Sequence, residues 1–228
     1  MEKLILLHTG PLGVNTYIIP LAENSVLVID PAACALTRDE NAVTGFLSEH
    51  SLIPAGIVIT HGHFDHITGL KTMKKAYPDC RIAIHKNDAA ALGTTAPEAQ
   101  HTALSNLGME KLYSALTNMP QADVLLNGGE TLDSVFTGNS AAVTKALSLW
   151  KVIHTPGHSA GGICLYNAER KELISGDTLF YRSYGRTDIG GDEGQIIHSL
   201  VMLKETLPPE TRVYPGHEMY GFRLDDGI

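Results

Sequence analysis

Four side chains of metal-ligating type stand within six positions, His61, His63, Asp65 and His66, in the segment Thr60-His61-Gly62-His63-Phe64-Asp65-His66. Their spacing has a geometric meaning. In extended backbone, residues i and i+2 project to the same side, so His61 and His63 could bind one ion together; on a helix they would stand about 200° apart. Asp65 and His66 fall at the turn into the next helix and could face a second, neighbouring ion. Neutral imidazole and carboxylate suit zinc, iron or manganese. A lone histidine at a strand end is ordinarily just a polar residue, but four ligand types at the end of a β-branched run form a metal motif.

Three later segments repeat one form, a β run, a glycine, then a ligand-type residue. Thr155-Pro156-Gly157-His158-Ser159 presents His158, Ser175-Gly176-Asp177-Thr178 presents Asp177, and Tyr214-Pro215-Gly216-His217 presents His217. Strand ends fix ligands well because the backbone is pinned before the side chain leaves it. The seven candidates, His61, His63, Asp65, His66, His158, Asp177 and His217, suffice for two ions sharing one carboxylate. Two divalent ions close together lower the pKa of a bridging water toward neutrality, and that hydroxide could attack an ester, thioester or amide carbonyl. Asp65 could also orient the nucleophile by accepting its hydrogen bond. Of the six other histidines, His85 and His154 stand near these turns and are candidates for steadying the ligands.

The elements that must hold these residues are legible in outline. β-rich runs at Lys3–His8, Val14–Ile19 and Ser25–Asp30 precede a helical pattern over Asp39–His50. Gly56–Thr60 reads as a buried strand, Gly69–Tyr77 as a helix stopped by Pro78, and Arg81–His85 as a strand. Residues 87–118 suggest two or three helices. Strands follow at Ala122–Leu126, Leu147–Thr155, Gly162–Tyr166, Lys171–Ser175 and Val213-Tyr214, with a helix over Gly194–Leu207 whose Ile197, Leu200 and Leu203 stand in register. Asn139–Ala146 reads as a polar surface hairpin or loop that could line or shield the site. Strands then helices, twice over, predict two sheets packed face to face with helices outside, in one domain spanning 1–228.

Composition narrows the partners. The chain has 228 residues, a formal net charge of −8, eleven histidines and three cysteines. Net acidity with scattered Lys and Arg argues against nucleic acid and against an anionic membrane surface. No apolar run approaches the roughly 20 residues of a bilayer span. The apolar stretch near the amino terminus, Leu4 to Leu7, is shorter than a secretory core of about 7–15 residues. With Cys34, Cys80 and Cys164 unable to pair completely, the expectation is a cytoplasmic protein, monomeric or a small homo-oligomer.

In the order and spacing of these motifs, from Gly13-Val14-Asn15-Thr16-Tyr17 through THGHFDH, TPGHS, SGDTLF and Gly185-Arg186-Thr187-Asp188 to YPGHE, the sequence resembles the metallo-β-lactamase superfamily, and within it the glyoxalase II-like branch. The resemblance implies an α/β fold, a four-layer αββα sandwich with a binuclear site at one edge. It implies that His61, His63 and His158 hold the first metal and Asp65, His66 and His217 the second, with Asp177 bridging. Two divalent ions follow, zinc first, with iron or manganese as alternatives. The implied reaction is hydrolysis of a small anionic thioester such as a hydroxyacylglutathione. Arg186 stands where glyoxalase II uses a basic residue on the glutathione backbone. The family's aromatic two positions after the last metal histidine is Met219 here, with Tyr220 next, which makes Tyr220 a candidate substrate contact. The carboxy-terminal helical domain of full-length glyoxalase II is not expected. Class B lactamases usually carry Cys where Asp177 stands, which weakens an antibiotic-hydrolase reading. The alternative is a persulfide dioxygenase-like oxidoreductase with a single iron on His61, His158 and Asp177.

Overall fold

Alternation along the strands sorts the apolar residues among three interiors. The computed structural model describes residues 3–227; Met1, Glu2 and Ile228, at the ends of the expected domain, lie outside the described residues. Strands β1 (Ile5–Thr9), β2 (Val14–Pro20), β3 (Ser25–Ile29), β4 (Ile53–Ile59), β5 (Ile82–His85) and β6 (Val124–Leu126) form one sheet in that order. The first three pair antiparallel and the rest run parallel. Then come β7 (Trp150–His154), β8 (Ile163–Asn167), β9 (Glu172–Gly176), the short ribbon of β10 (Leu179–Phe180) with β11 (Ser183–Tyr184), β12 (Arg212–Pro215) and β13 (Phe222–Arg223). The second sheet has the order β13-β12-β9-β8-β7.

In β3, Val26 and Val28 face an outer core while Leu27 and Ile29 face the space between the sheets; in β4, Ile57 and Ile59 divide from Val58 in the same way. The period-2 pleat allows nothing else when both faces of a sheet are covered. The outer core is closed by the helices Ala42–Glu49, Leu70–Ala76 and Ala96–Asn106, through Leu47, Leu70, Met73 and Leu104. The inner core takes Trp150, Val152, Ile163, Leu165 and Ile174 from the second sheet. On that sheet's far side, Cys164, Leu173 and Val213 meet Ile196, Leu200 and Leu203 of the helix Glu193–Thr206. Helix, sheet, sheet, helix is the expected four-layer order.

Two expectations change. The segment 139–146 is not a loop: residues Ala141–Ser148 form a helix whose N-cap Ser140 accepts the Val143 N–H. Its Val143 and Leu147, four apart, both sink into the inner core, so helical spacing wins over the polar composition. The strand expected from Leu147 therefore begins only at Trp150. In the helix 193–206 the buried stripe starts at Ile196, while Ile197 is exposed. Among the described residues no helix is long and apolar enough to cross a membrane.

One edge of the sandwich gathers the strand ends that matter. The parallel strands β3 and β4 run out there into Asp30 and Thr60, and the parallel β9 and β12 end there at Gly176 and Pro215. The two sheets are stitched at the same edge by the Ile163 N–H, which donates to the Thr60 carbonyl at 2.9 Å.

Candidate metal centre

His61 leaves the end of β4, and the chain then turns through His63 into the short helix Phe64–Ile67, which carries Asp65 and His66. The Pro/Gly turns after β7, β9 and β12 deliver His158, Asp177 and His217 to the same place. All seven sequence candidates converge there. Three histidines form one cluster: His63 Nδ1 lies 2.8 Å from His158 Nε2, which is 3.2 Å from His61 Nε2. A second set is formed by His66 Nε2, 3.1 Å from His217 Nε2, with Asp65 Oδ2 at 3.6 Å and 3.3 Å from the two. Asp177 spans both: Oδ1 is 3.4 Å from His66 Nε2, and Oδ2 is 3.5 Å from both His158 Nε2 and His217 Nε2.

These separations match the edges of a coordination polyhedron. Ligand atoms held about 2.0–2.1 Å from a common ion in a tetrahedron stand about 3.3 Å apart. The chemistry of the donors agrees. Asp177 Oδ1 is buried with no hydrogen-bond partner, an arrangement that is costly unless a cation meets it. Burial pushes the Asp177 carboxyl above its ordinary range despite the imidazoles beside it. Burial, then the rings of His66, His158 and His63, drives His61 well below its usual value, and burial with His63 brings His158 down to about 3, so both offer neutral nitrogens. Around His66 the carboxylates of Asp177, Asp65 and Asp30 outweigh burial and hold the ring up to about 10. The same attraction, from His66 and His217, outweighs burial at Asp65 and lowers its carboxyl. The residues fit a divalent metal site, with neutral rings on one side and unbalanced carboxylates on the other.

The outer ring nitrogens are fixed as well, which sequence reasoning did not see. Asp30 follows β3 directly and accepts three hydrogen bonds, from the Thr60 N–H at 2.7 Å, the Thr60 hydroxyl at 2.6 Å and His66 Nδ1 at 2.9 Å. With the Thr60 proton given to Asp30, His61 Nδ1 donates to Thr60 Oγ1 at 3.1 Å. His158 Nδ1 donates to the Arg186 carbonyl at 2.7 Å. Each contact leaves Nε2 free as the ligand atom. Asp88 is a second unforeseen group: its carboxylate accepts from Gly62 N–H, Ser159 Oγ and Gly161 N–H, all at 2.7 Å, and so ties the His61–His63 turn to the His158 turn. Asn15 and Tyr17 donate to the Pro215 carbonyl at 2.9 Å and 2.7 Å, which anchors the turn carrying His217. For Asp30 a signal was present, since it too is a ligand-type residue ending a β run. For Asp88 there was none.

Glycine is required at two of these turns by close approach. A Cβ on Gly216 would sit 2.2 Å from Asp177 Oδ1, and one on Gly185 would sit 1.9 Å from the Asp177 carbonyl oxygen.

The candidates beyond the ligands fare differently. Arg186 lines the cleft over the cluster, but its guanidinium holds Asp188 bidentately at 2.7 Å and 2.6 Å. Tyr220 does not line the cleft. It lies exposed in the turn from β12 to β13, closed by the Gly221 N–H on the Val213 carbonyl; Tyr184 stands on the cleft. His85 and His154 stack on each other, ring centroids 3.9 Å apart, and bond the Asn127 and Ala160 carbonyls rather than any ligand side chain. The helix 141–148 does not line the cleft.

A family model described as the metallo-beta-lactamase superfamily matches residues 9–217. The chain belongs to that superfamily. Among superfamily relatives, a probable metallo-hydrolase of Bacillus subtilis, YqgX, is 30% identical over 91% of this chain and 86% of its own. A hydroxyacylglutathione hydrolase of Shewanella oneidensis is 31% identical over 86% of this chain but only 58% of its own length. Among solved structures, the BLEG-1 B3 metallo-beta-lactamase superposes with a TM-score of 0.77 at 26% identity, covering 98% of this chain and 95% of that one. TTHA1623, solved in a di-iron-bound form, gives 0.72 at 28% identity, covering 97% and 95%. The metallo-beta-lactamase superfamily chain thus has hydrolase-named relatives and a di-iron structural neighbour.

Proposed function

We propose that the chain is a binuclear metal-dependent thioester hydrolase acting in the cytoplasm on small anionic thioesters, glutathione-linked hydroxyacyl esters among them. One observation carries the reading: the Asp177 carboxylate, one buried oxygen of which has no hydrogen bond, stands between the His61–His63–His158 and Asp65–His66–His217 clusters on the floor of an open cleft. The likeness to hydroxyacylglutathione hydrolase supports the thioester class.

In this proposal His61, His63 and His158 would hold one ion and Asp65, His66 and His217 the other, with Asp177 available to both. Such a pair supplies a water acidic enough to react near neutral pH and a Lewis acid for the carbonyl oxygen. Overall, water adds to the thioester carbonyl, the C–S bond breaks, and the products are a carboxylate, a thiol and one proton. Asp65 accepts a hydrogen bond from the attacking water and aims it. Asp30, Thr60 and the Arg186 carbonyl keep three imidazoles in one tautomer, so no reorganisation is needed at the moment of reaction. Arg186 meets a carboxylate of the thiol carrier by exchanging Asp188 for it, a bidentate-for-bidentate swap.

The test is metal analysis of freshly purified protein beside rates on S-lactoylglutathione, other thioesters and β-lactams, with oxygen uptake on glutathione persulfide. About two ions of zinc, iron or manganese per chain with thioester hydrolysis supports the proposal. One iron with oxygen uptake, or β-lactam hydrolysis without thioester hydrolysis, overturns it.

A further inference from the structure

The cleft above the ligand clusters has a volume of about 680 Å³, within the range of small-molecule sites. Its walls come from separate stretches of chain. Leu12 stands on the β1–β2 turn, Leu107 and Met109 just beyond the helix 96–106, Phe180 on β10, and Ile189 beyond the Asp188 pair. Phe180 is close to the reacting floor, its ring centroid 6.3 Å from that of His217. Leu12 is 46% exposed, a large apolar side chain beside the candidate centre.

Polar side chains on the cleft, the ligands aside, are few, and two of them are committed. Arg186 holds Asp188, and the Tyr184 hydroxyl lies 3.4 Å from Glu193. Ser183 and Glu218 complete the set. A hydroxyl beside an acyl carbonyl needs a defined partner to be selected, and the apolar walls offer none. Hydrocarbon is what these walls would take out of water, and Met109, being flexible, adapts to its shape.

We infer that the cleft selects thioesters bearing an apolar acyl group, linear or aromatic, over acetyl and short hydroxyacyl groups; this rests on the thioester reading above and specifies its substrate. Each methylene buried against such walls gains about fourfold in kcat/KM at full burial and about twofold where the wall is half open. From acetyl to hexanoyl the gain is then about 15- to 250-fold.

The experiment compares acetyl, butyryl, hexanoyl, phenylacetyl and lactoyl thioesters on two carriers, glutathione and N-acetylcysteamine, with metal-replete protein. Calorimetric binding of the methyl and hexyl thioethers of the same carriers gives a readout without turnover. A rising series on both carriers, hexanoyl at least about 15-fold above acetyl and above lactoyl, with the hexyl thioether binding more tightly, supports the inference. Leu107→Ser and Met109→Ser, each alone, should cut the hexanoyl-to-acetyl ratio at least about threefold. A flat series, or lactoyl above hexanoyl, overturns the inference and leaves the thioesterase reading standing. Hydrolysis of no thioester overturns the thioesterase reading; the thioether ratio then still decides what the cleft prefers, and equal binding of methyl and hexyl overturns the inference too.

Discussion

Replacing Asp30 by Asn removes one acceptor and almost nothing else. Asp30 sits at φ 48°, a left-handed conformation that Asn adopts as readily as Asp, so the backbone tolerates the change. The retained oxygen keeps the Thr60 N–H, while an NH₂ group replaces Oδ2, which accepts from the Thr60 hydroxyl at 2.6 Å and His66 Nδ1 at 2.9 Å. Each hydrogen bond to a carboxylate contributes about 1.5–3 kcal/mol. The side chains recover part of this by reversing direction. His66 Nδ1 then accepts from the amide, and its proton moves to Nε2, the atom that faces Asp65, Asp177 and His217. An ion must displace the Nε2 proton in either protein, but in the variant the ring that remains has no carboxylate to take its Nδ1–H. The expected net effect is a 10- to 100-fold weaker second ion, about 1.4–2.7 kcal/mol, with the ion on His63 and His158 less affected. Zinc titration of chelator-stripped protein against a chromophoric chelator reads this directly, as one tight and one weakened equivalent where the wild type shows two tight ones. Two ions bound with wild-type affinity, in a variant with unchanged circular dichroism, would refute the idea that Asp30 sets the His66 tautomer.

Three further outcomes follow from the same geometry. Gly216→Ala places a methyl 2.2 Å from Asp177 Oδ1, so metal content should fall and hydrolysis drop by about 100-fold; a full metal complement with wild-type rate refutes the close-approach argument. Asp88→Ala leaves two buried N–H groups and a hydroxyl unpaired, at about 1–3 kcal/mol each. Tm should therefore drop by at least about 6 °C, and a drop under about 2 °C would show that the strut is dispensable. Burial, and then His154, keep the His85 pKa below its ordinary 6.5; its Nδ1 accepts the Asn87 N–H, which a second proton would prevent. The unfolded chain thus takes up this proton first as pH falls. The site's stability is full above pH 6.5 and is lost as pH drops through that value toward the folded pKa. Denaturant midpoints of metal-free protein should show the gap between wild type and His85→Gln shrinking from about pH 7.5 to about pH 5; a constant gap sinks this reading.

The candidate ligand residues were legible because local geometry alone points to them. A β run is recognisable from its neighbours, and a glycine turn after it leaves little choice about where the next side chain goes, so His61, His63, His158, Asp177 and His217 could be named without tertiary information. The layer order was legible for a related reason: Val26 to Ile29 alternate between two interiors, which the period of the strand encodes. Residues 139–148 were misread because composition is a weak signal where two apolar residues, Val143 and Leu147, decide the matter by burial.

What only the tertiary structure decided is which distant groups complete each other. Asp30 is 36 residues from His66, Asp88 is 71 from Ser159 and Tyr17 is 198 from Pro215. Asp30 does follow a β run, but nothing in any of these neighbourhoods says which distant residue each will meet. Arg186 and Tyr184 line the cleft, while Tyr220 stands exposed in the turn from β12 to β13. By itself the sequence determined the chemistry of the ligands, since donor type and strand-end position are properties of single residues and short segments. The folded chain decided their protonation, their tautomers and the apolar cleft beside them, because burial and long-range hydrogen bonds exist only once the two sheets close on each other.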